Sequence, residues 1–155
     1  MLIINFNLKV NALSYATWLI VPSFQRANNG RPMTGDPSIL YIEDNEDNRK
    51  LVDRILKAAD FNVHSVADGM TGLSYIEENV PDLVLVDINL PEIDGYTVVR
   101  RLRKKFPPEE LPILALTAHA LKDDEEKCLA AGCNGYIPKP VDVDTLPEQI
   151  LSYLD

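Results

Sequence analysis

Glu43, Asp44, Asp87, Thr117 and Lys139 each stand one or two residues past the end of a short run of apolar character: ILYI, LVLV, ILAL and YIP. Three carboxylates brought together repel one another and raise one another's pKa, so the set makes chemical sense if a cation sits among them. Hard oxygen ligands favour Mg²⁺, which takes one or two protein carboxylates and keeps room for waters and the oxygens of a phosphorylated substrate. A carboxylate can also act as a nucleophile and form an aspartyl-phosphate. The attacking oxygen must then lie in line with the leaving group, while a metal and a cationic side chain stabilise charge on the equatorial oxygens. Asp87, Mg²⁺ and Lys139 would supply those three parts, and the Thr117 hydroxyl could bond a phosphoryl oxygen.

The elements that must position these residues alternate strand and helix. Ile39 to Ile42 reads as a buried strand that empties into the acidic loop Glu43-Asp44-Asn45-Glu46-Asp47. The period then changes to 3.6, with Leu51, Val52, Ile55, Leu56 and Ala59 on one stripe of a first helix. Val63 to Val66 predicts a second strand, Asp68-Gly69 a turn, and Leu73 with Ile76 the core face of a second helix that stops before Pro81. Leu83 to Val86 has no polar interruption, as a central parallel strand covered on both faces requires, and it ends at Asp87. A third helix carries Val98, Val99 and Leu102 before Pro107-Pro108. Ile113 to Leu116 is a fourth strand, and residues 121 to 131 are a fourth helix with Gly132 as its C′ residue. Tyr136-Ile137 is a short fifth strand. Asp144 suits the N-cap of a last helix whose first turn tolerates Pro147.

Five strand–helix pairs predict an α/β fold, a doubly wound open parallel sheet with helices on both faces. In such sheets the site lies beyond the carboxyl ends of the strands, where the five residues fall.

Length, with a prior of about 150 residues per domain, leaves room for one ordinary domain. The formal charge of −9 disfavours direct nucleic-acid binding, because such a surface repels phosphate backbones. Residues 1–35 carry Lys9, Arg26 and Arg31 and no acid, so residues 36–155 carry −12. This shift near Met33 divides the chain into an N-terminal extension, 1–35, and a folded unit, 36–155. The apolar run from Ala12 to Val21 is half of the roughly twenty residues a bilayer span needs, so no stable membrane insertion is expected. Three readings of residues 1–32 stay open: a short helix or arm docked on the domain, a weak membrane-surface anchor led by Trp18, or a poorly ordered extension upstream of a start at Met33. Cys128 and Cys133 have no metal-ligand spacing and read as small buried thiols in a reducing, cytoplasmic protein.

Glu43-Asp44, the run LVLVDINLPEIDGY around Asp87, the segment ILALTAHA and the segment YIPKP together resemble the receiver domain of two-component response regulators. The resemblance covers about residues 37–155, with separate motifs in the family's order, and implies a flavodoxin-like (CheY-like) sheet of order 2-1-3-4-5. It implies Asp87 as phosphoacceptor, Glu43 and Asp44 as the acidic pair serving Mg²⁺, and Asn89 as donor of a backbone carbonyl to that metal. Thr117 matches the switch hydroxyl, Lys139 the lysine that contacts the phosphoryl group, and Tyr136 the aromatic position whose ring turns inward when Thr117 moves. The resemblance also implies a cis peptide between Lys139 and Pro140. The acidic pair reads Glu-Asp rather than the usual Asp-Asp, and residues before Met33 have no counterpart. Asn89, Ala118 and His119 are expected to tune the lifetime of the phosphate.

Simpler readings accompany these roles. Asp87 in isolation could be a solvated loop acid, Thr117 a helix cap, Tyr136 static core and His119 a surface residue. The basic run Arg100 to Lys105 ends a helix, where cations complement the macrodipole. The sequence past the last helix leaves no segment for an output domain, so the expected output is a changed protein-binding surface, with a phosphorylation-linked dimer as one form of it. The expected partners are a sensor histidine kinase or histidine phosphotransfer protein and a downstream protein target. Two rivals are a phosphorylation-independent adaptor with a receiver fold and a haloacid-dehalogenase type enzyme. The latter wants a second Asp where Asn89 stands. A receiver catalyses only its own phosphorylation and dephosphorylation and is not an enzyme with an external substrate.

Overall fold

A parallel sheet forms from five short segments, of which the central ones are apolar on both faces and must be covered from both sides. In the computed structural model these are β1 (Ser38–Ile42), β2 (Asn62–Val66), β3 (Leu83–Asp87), β4 (Ile113–Thr117) and β5 (Gly135–Pro138), ordered β2-β1-β3-β4-β5. Every pairing is parallel. The structure describes residues 27–28, 31–32, 35–118 and 122–154. Beyond the sheet, Ala27–Asn28 pairs antiparallel with Arg31–Pro32. The rest of 1–34, including the apolar run, and His119 lie outside the described residues, as does the start of the predicted fourth helix at Leu121. Among the described residues no helix is long and apolar enough to cross a membrane.

Central β3 and β4 are buried along their whole length, whereas edge strand β2 is largely half-buried or exposed. Alternate residues of one strand serve opposite faces, the two-residue period of a strand. Leu40, Val84, Val86, Ile113 and Ala115 pack with Ile76, Val98, Val99, Leu102 and Cys128. Ile39, Tyr41, Leu83, Leu85, Leu114 and Leu116 pack with Val52, Leu56, Leu146 and Ile150 on the other face. Helices α1 (Glu46–Ala58) and α5 (Leu146–Leu151) therefore cover one side, and α2 (Gly69–Glu78), α3 (Gly95–Arg103) and α4 (Lys122–Ala131) the other.

Local chemistry sets the helix ends. The side chains of Asn45, Asp68 and Asp94 accept from the N–H of Asn48, Thr71 and Thr97, capping α1, α2 and α3. Asp68-Gly69 is thus a helix start and not the turn expected, because the Asp68 carboxylate finds the Thr71 N–H at 2.8 Å. Gly132, at φ 106°, ends α4 as expected. Its N–H reaches Leu129 O and that of Cys133 reaches Cys128 O, the paired bonds of a Schellman turn. Asp60, at φ 61°, closes α1 with the same pair of bonds, aspartate being one of the few non-glycine types that visits the left-handed region. Two further expectations change. Leu51, 46% exposed, and Ala59 face outward, so the stripe of α1 narrows to buried Val52 and Leu56 with half-buried Ile55. Asp144 caps nothing: its own N–H donates to Asp142 Oδ1, and α5 begins after Thr145 with no side-chain cap.

Cys128 and Cys133 are both free and buried. Burial pushes both thiols up, that of Cys133 to about 12, so little thiolate is present at neutral pH. Both should react with a disulfide reagent at pH 7 at least about a hundredfold faster in denaturant than in the native protein. Rapid native labelling of either would contradict this packing.

Candidate functional site

Register brings the strand ends level. Ile42 is opposite Val86, Asp87 opposite Leu116, and Thr117 opposite Pro138, so the residues that follow gather on one edge of the sheet. Glu43, Asp87 and Thr117 are buried there, whereas Asp44 and Asn89 are exposed. Lys139 comes from the end of β5, with its backbone N–H on the Thr117 carbonyl at 2.7 Å. The peptide between Lys139 and Pro140 is cis.

Lys139 lies at the centre. Its Nζ donates to Glu43 Oε2 at 2.6 Å and to Asp87 Oδ2 at 2.8 Å. Glu43 Oε1 accepts from the Asn45 N–H, and Asp87 Oδ1 from the Asn89 N–H. One carboxylate oxygen from each of Glu43, Asp44 and Asp87 lies within 4.8 Å of the other two. Three carboxylates face one ammonium. Burial would push the Glu43 carboxyl up, but the bonds from Lys139, Asn45 and Tyr41 outweigh it and hold it below its usual range. At Asp87 burial, reinforced by the charge of Glu43, wins over the bonds from Lys139 and Asn89 and leaves the group above its usual range. Burial pulls the Lys139 ammonium down, yet its two carboxylate partners outweigh it and raise its pKa. The cluster therefore has more negative charge than its own cation balances, with Asp44 open to water.

That donor set fits a hard divalent cation: clustered carboxylate oxygens, one exposed, and a buried acid whose charge is unfavourable as it stands. Glu43, Asp44 and Asp87 are the side chains that would hold it. Tyr136, half-buried on β5, packs against the core cluster on the α3–α4 side.

Three supporting contacts were not legible beforehand. The Tyr41 hydroxyl donates to Glu43 Oε2 at 3.2 Å. Arg49 Nη1 donates to the carbonyls of Glu43 and Asp44, at 2.6 and 2.8 Å, tying the first turn of α1 to the acidic loop. Gly95 donates its N–H to Ile88 O and lies so close to the Asp87–Ile88 backbone that a Cβ would overlap the Asp87 carbonyl. A tyrosine hydroxyl two residues before an acid on one strand face was the available signal for the first, since residues i and i+2 share a face.

Known proteins match this fold and motif set. A sequence profile described as the response regulator receiver domain matches residues 39–151. The chain is 38% identical over 117 residues to the polar-differentiation response regulator DivK of Brucella anthropi, covering 76% of this chain and 95% of that protein. The receiver domain of a sensor histidine kinase from Pseudomonas aeruginosa, solved with a magnesium ion in its active-site cleft, is 35% identical. It superposes with a TM-score of 0.71 over 77% of this chain and 98% of that one. A chemotaxis response regulator of Vibrio cholerae, 25% identical, superposes with a TM-score of 0.72 over 76% of this chain and 98% of that one. With the parallel sheet in the order β2-β1-β3-β4-β5 and the acidic cluster at its carboxyl edge, the chain belongs to the response regulator receiver domain family of two-component systems.

Proposed function

We propose that residues 36–155 form a phosphorylation-dependent signalling unit, with 1–35 as an appended extension, and that Asp87 is its phosphoacceptor. The observation that carries this reading is one buried carboxylate, Asp87, bonded to Lys139 and clustered with Glu43 and Asp44 at the carboxyl edge of the sheet. The phosphodonor is a histidine kinase or a histidine phosphotransfer protein. An Asp87 carboxylate oxygen attacks phosphorus, forming the acyl-phosphate O–P bond as the P–N bond of phosphohistidine breaks and the imidazole leaves with its electron pair. Glu43, Asp44, Asp87 and the Asn89 carbonyl would hold Mg²⁺, which would neutralise charge on the phosphoryl oxygens. Lys139 orients Asp87 and, as a cation, stabilises charge that develops on the transferred group.

The signal passes from Thr117, buried beside Asp87 at the end of β4, to half-buried Tyr136 on β5. A rotation of both changes the surface made by α4, β5 and α5, which a downstream protein reads in the cytoplasm. A coupling of about 1–3 kcal/mol between phosphate and partner would change affinity roughly 5 to 150 fold. Chemistry on an outside substrate is not part of this role.

Intact mass after incubation with Mg²⁺ and acetyl phosphate tests the reading. Wild type should gain one phosphoryl group and Asp87→Asn none. No gain in wild type, together with no binding of beryllofluoride, would overturn it and leave a phosphorylation-independent adaptor.

A further inference from the structure

Tyr41 is fully buried on β1, and its ring packs in the core layer beneath α1 and α5. Phenylalanine would fill that space, so packing alone does not ask for a hydroxyl. The hydroxyl donates to Glu43 Oε2 at 3.2 Å, the oxygen that also takes the 2.6 Å bond from Lys139. Burial, with the charge of Glu43, pushes the phenol well above its ordinary range, so it remains a donor. Glu43 itself is 1% exposed and cannot readily exchange a lost partner for water.

Lys139 has one ammonium to share. On the reading that Asp87 becomes phosphorylated, a phosphoryl group adds negative charge beyond the Asp87 carboxylate. Lys139 must follow that charge, which loosens its hold on Glu43. Loss of the Lys139 bond leaves Glu43 Oε2 with the Tyr41 hydroxyl as its donor, and an unsatisfied acceptor on a carboxylate this buried is costly even where a metal shares its charge.

We infer that Tyr41 is a positioning residue: its hydroxyl keeps Glu43 Oε2 hydrogen-bonded while Lys139 turns to the phosphoryl group. The longer Glu, in place of the usual Asp, is what brings the carboxylate to the Tyr41 hydroxyl. Tyr41 acts through Glu43 and Lys139 and touches no reacting atom. Mg²⁺ alone brings no negative charge that would draw Lys139 away from Glu43, so the demand on Tyr41 arises when the phosphoryl position is filled.

The full chain should be titrated calorimetrically with Mg²⁺ alone, then with beryllofluoride at saturating Mg²⁺. Tyr41→Phe should lower beryllofluoride affinity about tenfold, the scale of one hydrogen bond to a charged group, and leave Mg²⁺ affinity within about twofold. A general loosening of the site would move both. Glu43→Asp reads the same bond from its other end, since the shorter carboxylate cannot meet the hydroxyl. In that background Tyr41→Phe should have no further effect on beryllofluoride affinity. Equal beryllofluoride affinity in wild type and Tyr41→Phe, or an undiminished effect in the Glu43→Asp background, would overturn the role of Tyr41 alone. Absence of beryllofluoride binding in wild type would overturn the acceptor role of Asp87, and this inference with it.

Discussion

Lys139→Ala should lose about 3 kcal/mol of stability in Mg²⁺-free buffer at neutral pH, the low end of what breaking a buried ion pair costs. The side chains of Glu43 and Asp87 are 1% and 5% exposed, and each keeps only weaker partners once the ammonium is gone. Lys139 is itself 19% exposed, so water entering the vacated space offsets part of the loss and the upper end of the range is not expected. The pH dependence has a definite sign. Glu43 is held below its ordinary value of 4.5, so the stability its ion pair contributes is present above that value and disappears as pH falls through the lowered one. Lys139 is held above 10.5, so its contribution persists at neutral pH and fades only as pH rises past that value. Asp87 titrates in the opposite sense: its raised value makes ionisation destabilising as pH rises through the acid range. Wild type and variant should therefore converge in acid and separate at neutral pH. Millimolar Mg²⁺ should return part of the loss, because it binds the folded carboxylate cluster and not the unfolded chain. Phosphoryl incorporation should fall about a hundredfold even with Mg²⁺, the scale of removing one donor from a transition-state site. Urea denaturation with and without Mg²⁺ across this pH range measures the stability terms. A loss below about 1 kcal/mol at neutral pH would mean that Lys139 is not the main partner of these two carboxylates.

Gly95→Ala should be a highly damaging small substitution, at about 2–3 kcal/mol. The residue opens α3 after the Asp94 cap, where alanine would ordinarily favour the helix. Here the added Cβ overlaps the Asp87 carbonyl and comes within 2.8 Å of Ile88 Cα. Both are backbone atoms of the segment that carries Asp87, so neither can swing aside. Gly72→Ala is the informative contrast, because its Cβ would press on the outer atoms of the Ile42 side chain, which can turn. Chemical denaturation should show the larger loss for Gly95→Ala. Phosphorylation should slow at least about tenfold in Gly95→Ala alone, since a shift of about 1 Å in a reacting group is enough to cost far more. Equal rates in the two variants would show that the α3 start does not set the position of Asp87.

The site was legible wherever its residues follow directly on an apolar run. Strands β3 and β4 are buried on both faces, so each runs without polar interruption up to its last residue, Asp87 or Thr117, which lies in the candidate site. Helix ends were less legible. Asp68 and Asp144 are both acids before a helix, and only one caps it. That α5 starts after Thr145 with no side-chain cap depends on how the chain leaves the Lys139-Pro140 loop, a geometry with no signature in residue type. Leu51 fits the helical period of α1 yet faces outward, because a helix buries only as wide a stripe as the sheet beneath it covers.

The sequence by itself determined the order of five strands and their helices, the apolar faces of the sheet, and the acids, hydroxyl and amine at its carboxyl edge. Those features are local: each follows from residue type and spacing within one segment. The tertiary structure alone decided which charges share partners. Lys139 lies 96 positions from Glu43 and 52 from Asp87, and its bonds to them exist because parallel register levels the ends of three different strands. The second donor on Glu43, the Arg49 clamp on the acidic loop and the closeness of Gly95 to the Asp87 backbone have the same origin. Each is set to a fraction of an ångström by packing between elements, and a linear pattern of residue types carries no such distance.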